Sequence, residues 1–332
     1  MQPRPVTAKR YVIALLIWLG VWLLVSAAAV MIGTENIWAW RVPERVRDVL
    51  SIRLYTVLTA GLVGGGLALA GLAFQALLRN PLADPYILGI SGGASLGVIL
   101  SSLFFSVLLA PVFGFAGALA TVGLVYAVAQ HRGRLEPYTL LLTGVIVNAF
   151  YAAAIMLIVA LAKPADRGDI AYWMMGSIGT FNPQWTLLAV VGGLALGVAV
   201  LFAWLAKGFN LVVVGEDTAG ALGVRVERLR LVTFLAASLV TGASVALTGP
   251  IGFVGLICPH ILRMVIGPDH RLLVPASFFF GAIFLVVADL ATRLLGAFGD
   301  QAPPVGVVTA MCGVPFFIYL LRTRWRRGAV VR

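Results

Sequence analysis

The side chains of this chain that could do chemistry are few and far apart. Its three histidines, His131, His260 and His270, and its two cysteines, Cys258 and Cys312, show no ligand spacing and no C-x-x-C pair. The sequence therefore offers no metal site and no disulfide framework. Its three lysines, Lys9, Lys163 and Lys207, each follow an alanine, so a G-x-x-x-x-G-K-[ST] phosphate cradle cannot form, and H-E-x-x-H and G-x-S-x-G are also absent. Asp289 and Arg293 stand four apart in an apolar run, a spacing that pairs them on one helix face. The other polar residues in such runs are mostly amides and hydroxyls, among them Gln75, Thr143 and Asn148. This set assigns no catalytic residue, no metal ligand and no cofactor bound by the chain. It also lacks the acidic residues that proton- or sodium-driven carriers place at mid-membrane, which weighs against self-energised transport.

The elements that carry these residues are read from hydropathy. Of 332 residues, 61% are hydrophobic and 11% charged, against about 25% charged in a soluble domain. The mean hydropathy is +1.01. Only a polytopic membrane protein leaves that much apolar surface outside a core, because lipid is its solvent. The expected fold is all-α, a single transmembrane domain over 1–332 with about ten spans near 11–32, 54–78, 92–109, 112–130, 138–162, 186–206, 231–249, 253–267, 272–296 and 304–322. Placing both termini in the cytoplasm leaves seven Lys and Arg outside (Arg41, Arg45, Arg47, Arg53, Lys163, Arg167 and Arg293) and the other 17 of 24 inside, as the positive-inside rule requires. The net charge of +11 then calls for membrane lipid and an acidic partner surface, not nucleic acid. The first apolar run exceeds a signal-peptide core and reads as a retained span.

Two polar interruptions stand out. QALLRNPLADPYILGISGGASLG, residues 75–97, reads as a cytoplasmic turn: Pro81 and Pro85 forbid helix continuation, Asn80 and Asp84 can cap exposed backbone groups, and Gly92 and Gly93 let the next helix approach closely. The longest inner loop, about 207–230, holds Gly215-Glu216-Asp217-Thr218-Ala219-Gly220-Ala221-Leu222-Gly223, which reads as a short polar helix with a glycine stop. Such a helix could fit a cleft on a cytosolic partner or simply connect two spans. Small residues four apart, Gly61/Gly65, Gly64/Ala68, Gly66/Ala70 and Gly193/Gly197, suit close helix packing.

In these stretches the chain resembles a known family. The E-x-x-A-x-x-x-G spacing of Glu216, Ala219 and Gly223 is similar to the coupling-loop motif of ABC importer permeases. The 75–94 stretch, Leu142-Thr143-Gly144-Val145, Trp173–Ser177, the run 249–275, Ala288-Asp289, Arg293, Pro304–Thr309 and Gly313–Phe317 resemble, in order, the FecCD-type permeases of type II ABC importers for iron–siderophores, haem and vitamin B12. The resemblance implies a homodimer, or half of a heterodimer, in a bacterial cytoplasmic (inner) membrane. Two partner ATPase subunits would bind ATP and Mg, and a periplasmic or lipid-tethered binding protein would deliver cargo, a ferric siderophore first and haem or cobalamin as alternatives. Gly215, Glu216, Ala219, Leu222 and Gly223 would form the ATPase-coupling loop. Arg53 and Arg293 would meet acidic residues of the binding protein, and Asn148 and Gln75 would lie on the translocation pathway, although a lone amide in a span equally suits interhelical bonding. The chain departs from the family at Tyr55 and Thr56 and at Gln301-Ala302-Pro303, so docking could shift to Arg41, Arg45 and Arg47.

Overall fold

The computed structural model describes residues 8–33, 43–131, 134–178, 183–298 and 302–328. Arg41 and Gln301 lie outside them. The helices run in the order α1 (Ala8–Met31), α2 (Pro43–Leu77), α3 (Ile90–Phe104), α4 (Ala110–Ala129), α5 (Pro137–Leu161), α6 (Pro164–Met174), α7 (Trp185–Val214), α8 (Glu216–Ala221), α9 (Val226–Thr248), α10 (Val254–Ile266), α11 (His270–Leu295) and α12 (Val305–Gly328). A two-residue antiparallel ladder, β1 (Gln130–His131) with β2 (Arg134–Leu135), joins α4 to α5.

The ten expected spans correspond to α1–α5, α7 and α9–α12. Among the described residues seven helices are long and apolar enough to cross a membrane, and the apolar parts of α3, α10 and α12 are shorter. The largest differences from the sequence reading are two boundaries and one added helix. Helix α7 continues to Val214, past the expected end at 206, which shrinks the inner connector to 215–225. Helix α2 begins at Pro43, well before 54. The connection before α7 holds an extra helix, α6, started by Pro164 in its first turn.

Helix α2 is the axle. In its most apolar window 89% of residues are buried, against 6% for α1, and it packs on α7, α9, α10 and α11. Glycine makes the close crossings possible. A methyl on Gly71 would run into the Gly255 carbonyl, one on Gly64 into the Gly281 carbonyl, and one on Gly93 into Thr121. Gly61 and Gly65 make room for Trp22 and Phe278. Gly193 and Gly197, which the spacing put with the packing pairs, instead lie on the exposed face of α7 with nothing within 4 Å.

The break after α2 is more than a surface turn. It begins at the helix end, then runs back into the bundle. The Pro85 ring touches Gly255 of α10, which also meets Leu67 and Gly71 of α2. Those two lie six to ten residues before the end of α2, about 9–15 Å along its axis. There the Tyr86 hydroxyl accepts from the backbone N–H of Ile251, 2.5 Å away, in the link between α9 and α10. Two non-helical segments, one after α2 and one after α9, thus meet inside the bundle, and each leads into a short helix, α3 of 15 residues and α10 of 13.

The crossings predict an asymmetry. Gly71→Ala should destabilise the chain by about 1–3 kcal/mol through overpacking. Gly193→Ala should be neutral or stabilising by up to about 1 kcal/mol. Thermal unfolding in detergent of both variants checks this.

Candidate functional site

Helix α8 is a six-residue helix standing between α7 and α9. Gly215 caps its N-terminal end and Ala219 is fully buried beneath it. Its C-terminal end is a complete Schellman closure: the Val224 N–H bonds the Ala219 carbonyl at 3.0 Å, and the Gly223 N–H bonds that of Gly220 at 3.0 Å. Gly223 has φ +85°, in the left-handed region, and open space where a Cβ would sit. Glycine is required there by conformation, not by crowding. Leu222, 63% exposed, is the apolar projection of this turn.

Glu216, in the first turn of α8, pairs with two arginines from elsewhere, Arg79 just after α2 and Arg230 of α9, the latter at 2.7 Å. Arg79 also sits in a Schellman closure, with Asn80 N–H to the Gln75 carbonyl (3.1 Å) and Arg79 N–H to that of Ala76 (3.4 Å), at φ +46°. A non-glycine residue in that region is strained, and here the side chain that accepts the strain is the one that reaches α8.

Arg230 is the hub. It is 5% exposed, and its Nη1 donates to Glu227 Oε1 and to the Leu135 carbonyl, both at 2.9 Å. The Glu227 Oε2 in turn accepts from the Leu135 N–H at 3.1 Å. Glu227 and Arg230, three apart on α9, therefore offer Leu135 an acceptor and a donor as a neighbouring strand would. Two arginines and two glutamates form a neutral set that ties the end of α2, helix α8, the start of α9 and the α4–α5 hairpin together. The sequence reading found Glu216 and missed Arg230 and Glu227, counting their neighbourhood only as loop charge.

The remaining expected residues fall elsewhere. Asn80 Oδ1 accepts from Leu82 N–H at 3.0 Å and Asp84 Oδ1 from Tyr86 N–H at 2.8 Å, so both cap as anticipated, with Pro81 between them and Pro85 opening a 3-10 turn over Pro85–Leu88. Gln75 does not face an open path in the single chain. It is buried, donating to the Gly255 carbonyl at 3.2 Å and accepting from Arg263 at 2.9 Å, and so bonds α2 to α10. Asn148 lies on the exposed face of α5, its side-chain oxygen over Gly92 of α3. Arg53 and Arg293 both turn to the end of α1. Arg53 donates to the Val30 and Met31 carbonyls at 3.3 and 3.4 Å, and Arg293 to that of Ala29 at 3.1 Å while pairing with Asp289 at 3.0 Å.

A second feature absent from the sequence reading lies beside the α9–α10 link. Phe253 opens α10 at φ +69°, and Gly313 of α12 leaves space for its ring. With Met175, Val307, Met311 and Val314 it borders an open, mostly apolar groove of about 680 Å³.

Comparison with known proteins covers nearly the whole chain. The sequence profile of the FecCD transport family matches residues 15–323. The cobalamin import system permease protein BtuC of Halobacterium salinarum is 40% identical over 85% of this chain and 76% of its own. The Fe(3+)-citrate import system permease protein YfmD of Bacillus subtilis is 38% identical over 94% of each chain. The hemin transport system permease protein HmuU of Yersinia pestis is 35% identical over 99% of this chain and 98% of its own. Among solved structures, a metal-chelate type ABC transporter in an inward-facing conformation superposes with a TM-score of 0.82 at 28% identity, covering 94% of this chain and 99% of that one.

One outcome follows from the geometry. Arg230→Met should cost about 2–3 kcal/mol, below the 3–5 of a fully buried broken pair because both glutamates are partly solvated, whereas Arg79→Met should cost less than about 1 kcal/mol; chemical unfolding of the two variants measures the difference.

Proposed function

The chain belongs to the FecCD transport family, and from that premise we propose that it is the membrane permease subunit of a type II ABC importer, a transport subunit and not an enzyme. The single observation that carries this reading is α8: a short helix closed at both ends, placed between spans and ion-paired to two of them, on the α2-end face of a chain whose family resemblance runs from end to end. Partner ATPase subunits, two per importer, would supply ATP and Mg. As they close, they would push α8 as a unit, with Leu222 and the Gly223 turn as the contact. Glu216 would pass the displacement to Arg79 and Arg230, and Arg230 to Leu135 and thence to α5, the helix that carries Asn148.

The cargo is proposed to be a ferric chelate, a siderophore first. Among the described residues no three His, Cys, Asp or Glu side chains converge, which supports a cargo that arrives inside its own organic ligand. The apolar groove at Phe253 would form part of its path, with Asn148 and, where helices part, Gln75 as its polar points. Haem and cobalamin are the alternatives, since the relatives' names span them. A second copy of the chain would complete the path in a homodimer, both termini facing the cytoplasm of the inner membrane. A binding protein would dock near Arg53 and Arg293. Because these already hold α1, its acidic groups would compete with α1 carbonyls, helped by the exposed Arg47.

The test is purification from membranes followed by ATPase and uptake assays in proteoliposomes with candidate binding proteins. Co-purification of a P-loop ATPase stimulated by a cognate binding protein is the expected result; uptake that persists without any ATPase would overturn the assignment. Within that assay, Gly223→Leu should lower uptake per ATP at least about tenfold, because a φ of +85° costs a side chain about 1–2 kcal/mol or forces the turn to reshape, while insertion and ATPase binding remain. Normal uptake by this variant would remove α8 from the coupling surface.

A further inference from the structure

A groove of about 440 Å³ opens between α7 and α9, on the side of the bundle that carries α8. Leu201, Leu205 and Val232 line its apolar interior, Trp204 stands at its edge 79% exposed, and Arg225 and Arg228 border it at the start of α9. The two arginines are exposed, and among the described residues neither makes an ion pair, in contrast to Arg79, Arg230, Arg271 and Arg293. The nearest acid on α9, Glu227, is committed to Arg230 and the Leu135 N–H. The groove is therefore apolar along its length and cationic at one end, with a tryptophan near the level where the charge begins.

We propose that this groove binds an anionic phospholipid of the leaflet on the α8 side, its phosphate between Arg225 and Arg228 and one acyl chain along Leu201, Leu205 and Val232. Charge complementarity selects the occupant. An apolar segment of another protein would leave two guanidinium groups without partners, and a soluble anion would leave the apolar walls wet. A lipid with a net negative headgroup satisfies both ends, and basic pockets at helix ends on one leaflet are recognised in this way. The lipid would hold the first turn of α9, directly before Arg230. The inference needs the membrane only and is independent of cargo.

The experiment uses the full chain with its co-purifying partners, reconstituted in phosphatidylcholine bilayers that contain a small fraction of brominated phosphatidylglycerol or brominated phosphatidylcholine. Bromine on the acyl chain quenches nearby tryptophan, and Trp204→Phe isolates the Trp204 signal. Quenching of Trp204 should favour the glycerol lipid about thirtyfold, from two basic contacts, and the preference should weaken in 1 M salt. Arg225→Gln/Arg228→Gln should bring the two lipids to parity. Equal quenching by both lipids in the unmodified chain overturns the proposal, and this holds even if the double variant fails to fold. A lipid preference that survives in the folded double variant overturns it too; loss of the partner ATPase alongside that survival would assign the arginines to a protein contact.

Discussion

A guanidinium at 5% exposure demands oppositely charged and hydrogen-bonding partners, because an ion left unpaired away from water costs several kcal/mol. Arg230 finds them in two other segments and in its own helix: Nη2 is ion-paired at 2.7 Å with a carboxylate of α8, and Nη1 donates to a carboxylate of α9 and to a backbone carbonyl of the α4–α5 hairpin. The demand is mutual. Glu216 is tethered to Arg79 as well, and Leu135 has both its backbone groups engaged by α9. Helix α8 cannot shift relative to α9 without exposing a buried charge, so small forces move the segments together. This makes a six-residue helix, too short to be stable on its own, a usable lever.

Inside the bundle the same accounting applies to neutral groups. Non-helical backbone at membrane depth is tolerated where protein or a cavity surrounds it. The two breaks, after α2 and after α9, satisfy each other: the Tyr86 hydroxyl accepts the Ile251 N–H, and Gly255 lets Pro85 approach. The strained Phe253 and its groove lie beside that junction.

Hydropathy made the spans legible because lipid imposes a length on apolar runs, and the E-x-x-A-x-x-x-G spacing made α8 legible because its closure is local. The end of α7 was not, since Phe209-Asn210-Leu211-Val212-Val213-Val214 is apolar enough to continue a helix past the Lys207 charge. Helix α6 was hidden by its mixed composition. The roles of Arg230, Gln75, Arg53 and Arg293 depend on contacts far apart in the chain, 95 residues between Arg230 and Leu135 and 264 between Arg293 and Ala29. An arginine in a basic loop and one bridging three segments look alike in sequence. Gly193 and Gly197 show the converse: helical spacing of small residues marks an approachable face without saying what, if anything, approaches it.

The two ends of the bundle treat charge in opposite ways. On the α8 side two arginines and two glutamates neutralise one another, and the cluster is held by its own members. On the far side Arg53 and Arg293 spend their donors on the last carbonyls of α1, where the helix dipole favours cations. Helix α1 buries almost none of its apolar window, so within the chain these bonds, with Trp18 and Trp22 against α11, are a large part of what fixes it. A carboxylate approaching from outside would offer the arginines a stronger partner than a carbonyl. In the proposed docking, release of α1 would be one exchange of hydrogen bonds, acting on a helix whose apolar window is almost wholly exposed in the single chain.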